Sequence, residues 1–225
     1  VWRRLAEEGI EVREWKLDRA TGSLDLETLD SLLADGKVKL VCFPHCSNVI
    51  AEINEVAAIC AMAKAAGART VVDGVSYAPH GFPDVAALGC DVYLFSAYKT
   101  FGPHQGIMVL REAFGFELPG QAHFFNHGVL YKRHTPAGPD HAQIAACAGM
   151  ADYIDALAER HGIGGDFRRA HFGEDDLHFR EFLEPPFQRM LHFDGLRQAR
   201  AGDAQGVHRH VAFVQARNEF RAHAR

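Results

Sequence analysis

An aspartate and a lysine 26 positions apart, each closing an apolar run, carry the chemistry of this sequence. Asp73 ends the run Thr70, Val71, Val72, and Lys99 follows Tyr93, Leu94, Phe95, Ser96 with only Ala97 and Tyr98 between. A carboxylate fixed at a strand end can accept a hydrogen bond from a protonated pyridine nitrogen, and a lysine amine can form an imine with an aldehyde. A pyridine-aldehyde cofactor needs both partners.

Those two groups share a site only if the elements carrying them run side by side in the same direction. The sequence supplies such elements. Residues 11–17 alternate polar and apolar as a half-exposed strand does, and residues 25–33 place leucines 26, 29, 32 and 33 at helical spacing. Residues 39–43 form a short buried strand closed by Pro44. Asn54 is expected to cap a helix over 55–66, which Gly67 ends. Strands follow at 70–73, 91–96 and 106–110, with a short helix around 85–88. Strands separated by helices predict an α/β fold with a doubly wound, mainly parallel sheet, whose ligands lie beyond the carboxyl ends of the strands. After Arg111, residues 120–139 read as a long ordered loop. Asp140 is expected to cap an extended helix to about Arg160, ahead of a second helix near 175–191 and a strand near 211–214.

The ordered series Ser47, Asn48, Val49; Asp73, Gly74; Ser96, Lys99; Gly102, Pro103 resembles the fold-type-I, pyridoxal-phosphate-dependent enzymes of aminotransferase class V, the superfamily that includes cysteine desulfurases and selenocysteine lyases. The similarity runs from about Trp2 to about Leu157, with 25 positions from Asn48 to Asp73 and 26 from there to Lys99. The resemblance implies that Lys99 carries the cofactor and Asp73 faces its ring nitrogen. It places Ser96 and Tyr98 at the phosphate, where related enzymes have serine and histidine, and puts Asn48 and Ser76 near the ring oxygen. A neutral phenol at position 98 gives a weaker phosphate grip than an imidazole. His45 and Cys46 are candidates to line the substrate mouth.

The same resemblance implies a small amino acid as substrate, a homodimer, and a cysteine-desulfurase-like lyase or transferase reaction. A class V aminotransferase, an amino-acid epimerase and a truncated, non-catalytic interaction relative stand as alternatives. It also implies a division into a partial cofactor-binding large domain at 1–160 and the start of a small carboxy-terminal α/β domain at 161–225. Further site parts are expected upstream and downstream, so the chain reads as a fragment with little activity alone.

Composition narrows the partners. A net charge of −5 in 225 residues offers no basic field for nucleic acid or an anionic membrane. No run of 18 apolar residues is present, and the first residues lack a signal core, so a cytoplasmic location is expected. Five cysteines without a C-x-x-C pair suggest reduced thiols, and fourteen scattered histidines give no zinc pattern.

Overall fold

The computed structural model describes residues 2–81, 83–136, 138–161 and 212–217; for Gly81 and for 212–217 only the backbone is considered. Its centre is a six-stranded sheet in the order β1-β6-β2-β3-β4-β5, formed by β1 (Val12–Lys16), β2 (Val38–Pro44), β3 (Arg69–Asp73), β4 (Val92–Ser96), β5 (Gly106–Leu110) and β6 (Ala212–Arg217). All neighbours are parallel except β4 and β5. The expected α/β, mainly parallel architecture is what the chain adopts.

Local chemistry accounts for the elements. Helix α1 (Leu26–Leu33) starts where the Asp25 carboxylate accepts from the amides of Glu27 and Thr28, and it buries Leu29 and Leu33. Helix α2 (Val56–Ala65) buries Val56, Ile59, Cys60 and Ala63, the i, i+3, i+4, i+7 stripe that lays one face on the sheet. Gly67 follows it at φ +76°, a left-handed conformation that costs glycine little. Trp15 on β1 is fully buried, and its indole N–H donates to the Asp25 carbonyl, so the first strand is pinned to the start of α1. Strand β4 is buried along both faces, as expected of an inner strand of a covered sheet.

The expected Asn54 cap does not form. Glu55 precedes α2 without a side-chain cap, and the Asn54 amide instead donates to the Pro44 carbonyl at 2.8 Å, stapling the β2–α2 loop to the end of β2. Residues 120–139 hold more structure than a loop: a 3-10 turn at Phe124–Asn126 and helix α3 (Leu130–Arg133). Arg133 explains this order, since its guanidinium donates to the carbonyls of Leu118 and His127. The extended helix after Asp140 is interrupted at Cys147 into α4 (His141–Ala146) and α5 (Ala148–Arg160), with Asp140 capping α4 through the Gln143 amide. The strand anticipated near 211–214 is β6, and it lies in the main sheet between β1 and β2. The helix anticipated near 175–191 lies outside the described residues.

The amino edge of the sheet is locked by Asp91. Its carboxylate accepts from the Thr70 amide at 2.9 Å and pairs with Arg69 and Arg111, which tie β3 and the end of β5 to the start of β4. The opposite, carboxyl edge is left for the site.

Candidate active site

Three adjacent parallel strands deliver the six predicted site residues to one edge. The loop after β2 carries Asn48, the end of β3 carries Asp73 with Ser76 in the following turn, and the end of β4 carries Ser96 with Tyr98 and Lys99 in the 3-10 turn Ala97–Thr100. Asp73 stands opposite Leu94 in the β3–β4 register, and Lys99 follows Leu94 by five residues. Neighbouring strands lie about 4.8 Å apart. The two groups therefore lie at the same carboxyl edge, on neighbouring strands.

The turn bearing Lys99 is held rigidly. Thr100, 1% exposed, donates through its hydroxyl to the Ser96 carbonyl at 3.0 Å, and Phe101 reverses the chain at φ +66°. The Gly102 amide then reaches the Ala97 carbonyl at 2.8 Å. A Cβ at Gly102 would stand 2.3 Å from Met150 Sδ and 3.0 Å from Ala97 Cβ, which explains the glycine after this turn. Lys99 itself is half-buried.

Asp73 is exposed, and among the described residues its carboxylate accepts one hydrogen bond, from the Val75 amide at 3.0 Å. It has no ion-pair partner among them, so an oxygen remains available to a ligand N–H. Ser96 is 8% exposed, and its hydroxyl has no hydrogen-bond partner among the described residues. A buried, unpartnered hydroxyl is costly unless a ligand satisfies it. An orphan hydroxyl, an exposed carboxylate and a half-buried amine on one edge fit the three polar ends of pyridoxal phosphate.

Tyr98 and Asn48 lie further out. Tyr98 is 48% exposed, with its ring stacked on His104 at 4.9 Å. Asn48 is exposed at the tip of a loop that Ser47 shapes, its hydroxyl accepting from the amides of Val49 and Ile50. Ser76 is half-buried in the Asp73 turn.

His45 does not line the mouth. It is buried at 5% exposure, stacked on Tyr77 with ring centroids 3.6 Å apart, and its Nδ1 shares a 2.8 Å hydrogen bond with the Tyr93 hydroxyl. Its backbone amide donates to the Asp73 carbonyl at 2.8 Å. Sequence reasoning missed this Tyr77–His45–Tyr93 cluster. The only available signal was a histidine and two tyrosines next to apolar strand ends.

Burial pushes His45 down to about 4. Its folded value lies below the ordinary 6.5 of an exposed ring, so the unfolded chain binds the proton first. The stability this neutral ring contributes is complete above pH 6.5 and is lost as pH falls through 4, up to about 3 kcal/mol. Urea midpoints measured from pH 7 to pH 4 are expected to fall more steeply for the native chain than for His45→Gln. Parallel acid limbs would refute the assignment.

Residues 1–115, which contain all six positions, match the family model described as aminotransferase class-V. The chain belongs to that family. The class V family works with pyridoxal phosphate. Over 146 residues the class V chain is 45% identical to the aminotransferase-like protein FGM3 of Gibberella zeae, covering 60% of this chain and 36% of that one. Over 170 residues it is 41% identical to the cysteine desulfurase of Serratia proteamaculans, covering 69% of this chain and 41% of the other. Among solved structures, the apo cysteine desulfurase from Thermococcus onnurineus NA1 superposes with a TM-score of 0.58 at 26% identity, over 69% of this chain and 42% of that chain. The class V chain thus spans about two fifths of the length of the curated relatives it matches. Among the described residues no helix is long and apolar enough to cross a membrane.

Proposed function

We propose that the protein is a pyridoxal-phosphate-dependent enzyme acting on a small amino acid, with a cysteine-desulfurase-like reaction. The observation that carries this reading is the convergence of Asp73, Lys99 and the unpartnered Ser96 hydroxyl on the carboxyl ends of neighbouring strands β3 and β4. The relatives point the same way, one being a cysteine desulfurase at 41% identity. A class V aminotransferase is the second reading, favoured by the 45% identity to an aminotransferase-like protein. The assembly as a homodimer and a cytoplasmic location belong to the same proposal, as does a division near residue 160, with β6 returning from beyond it to the sheet of the large domain.

Each residue has a task. The Lys99 amine would hold the cofactor through its aldehyde and, when free, would take and return a proton at the substrate's α-carbon. Asp73 accepts a charge-assisted hydrogen bond from the pyridine N–H, on the order of 1.5–3 kcal/mol, which keeps that nitrogen protonated. Ser96 donates to the phosphate, and Tyr98 supplies a second, neutral donor from the same turn. Asn48 and Ser76 flank the ring-oxygen side. When bound, pyridoxal phosphate supplies an electron sink for a substrate bond broken at the α-carbon.

Titration with pyridoxal phosphate followed by an absorbance scan tests the reading. A visible band is expected, together with a borohydride-fixed adduct that mass spectrometry places on Lys99. An adduct elsewhere, or no band at saturating cofactor, defeats the proposal. Sulfide release from cysteine against amino transfer to a keto acid then separates the two readings. Tyr98→His is expected to retain cofactor several-fold more tightly, because a partly protonated imidazole adds charge toward a phosphate. Equal or weaker retention on dialysis would show that position 98 does not touch it.

A further inference from the structure

We propose that Tyr93 and His45 are positioning residues that brace the Asp73–Gly74 strand end and so aim the Asp73 carboxylate. The inference rests on the reading of Asp73 as a cofactor partner, but its structural half stands without it.

Tyr93 lies on β4 one position before Leu94, fully buried beneath the β3 terminus. The backbone of Gly74 lies directly over its ring, so closely that a Cβ there would fall 2.1 Å from Cε1 and Cζ and 2.2 Å from the hydroxyl. The Gly74 amide donates to the Leu94 carbonyl at 2.7 Å, pressing the chain onto that ring. The hydroxyl is anchored by His45 Nδ1, and the His45 ring is clamped by Tyr77, which returns from the turn that begins at Gly74. His45 closes the loop through its backbone amide on the Asp73 carbonyl. Asp73 is thus gripped on both sides by one cluster: by His45 on its own carbonyl and by Tyr93 under its neighbour. Burial keeps both rings neutral, since it lowers His45 and raises Tyr93. A neutral brace adds no competing charge beside a carboxylate that must accept from a cationic ring.

The test uses two variants and two readouts. In the cofactor-free protein, amide hydrogen exchange at Gly74 and Val75 is expected to accelerate at least tenfold in Tyr93→Phe and in His45→Phe, while the amides of Val41 and Ala63 keep their native rates. In the loaded protein, both variants are expected to bind pyridoxal phosphate at least fivefold more weakly and to shift the pH midpoint of the visible band. His45→Gln, which can still partner the phenol, is expected to recover most of that shift. Uniform acceleration across the core would mean that the pair supports stability alone and overturns the proposal. Local acceleration with an unchanged midpoint overturns the aiming of Asp73. If His45→Phe does not fold, Tyr93→Phe, which removes one oxygen, decides by itself. Absence of a band in the native protein sinks the cofactor reading instead, and leaves the exchange data to judge the brace.

Discussion

Lys99→Ala is expected to erase the visible cofactor band and the borohydride-fixed adduct together, and to lower turnover by at least about 10²-fold, the lower end of what a positioned acid–base group contributes. No other described lysine occupies a turn at the carboxyl edge of β3 and β4, so no neighbour can substitute. The fold should survive the change. The turn is held by the Thr100 hydroxyl on the Ser96 carbonyl and by the Gly102 amide on Ala97, and neither bond involves the lysine side chain. Asp73→Asn makes the matching control: the adduct on Lys99 should still form, while turnover falls as the ring nitrogen loses its anionic partner. Borohydride trapping, absorbance and steady-state rates on the three proteins decide the matter. A persistent band in Lys99→Ala would show that the amine binds the cofactor from elsewhere.

Gly74→Ala is expected to be the most damaging glycine-to-alanine change among the described residues, at about 3 kcal/mol, the upper range of overpacking in a rigid interior. A methyl at this position would stand 2.1 Å from a tyrosine ring that is fully buried and hydrogen-bonded, so moving the ring would cost both packing and that bond. Gly102→Ala makes a useful comparison. Its nearest obstacle is the thioether of Met150, a flexible side chain that can yield, and the loss should be smaller. Urea denaturation of both variants reads the difference; equal losses would mean that the Tyr93 ring moves as freely as Met150.

What could be read in advance was what periodicity and punctuation encode. The stripe Val56, Ile59, Cys60, Ala63, the aspartate before Leu26 and the apolar runs ending in Asp73 and Lys99 are local signals, and the elements stand within a residue or two of them. Asn54 went elsewhere because a loop that must return to β2 offers its amide the Pro44 carbonyl, a partner no linear reading displays. Residues 120–139 read as an ordered loop without helices for the same reason: their turns are held by Arg133 reaching back 15 residues to Leu118. At the site, the apolar runs gave Asp73 and Lys99, and the family resemblance added Ser96, Tyr98, Asn48 and Ser76, the residues proposed to hold a cofactor. Neither gave anything of the Tyr77–His45–Tyr93 cluster, whose members lie up to 48 residues apart and meet only when β2, β3 and β4 align.

Four of the five thiols are sealed inside the protein, and this bears on how it can be handled. Cys42, Cys60, Cys90 and Cys147 are buried, with Cys42 and Cys90 pushed up to about 12, where a thiolate is scarce at any working pH. Cys46 alone is partly accessible, in the loop that carries Asn48 and one residue from His45. Alkylating reagents applied to the folded protein therefore have a single address, at the rim of the candidate site. A fluorophore or spin label attached there reports on that rim without any engineered cysteine, and mild oxidants meet the chain first at the same place.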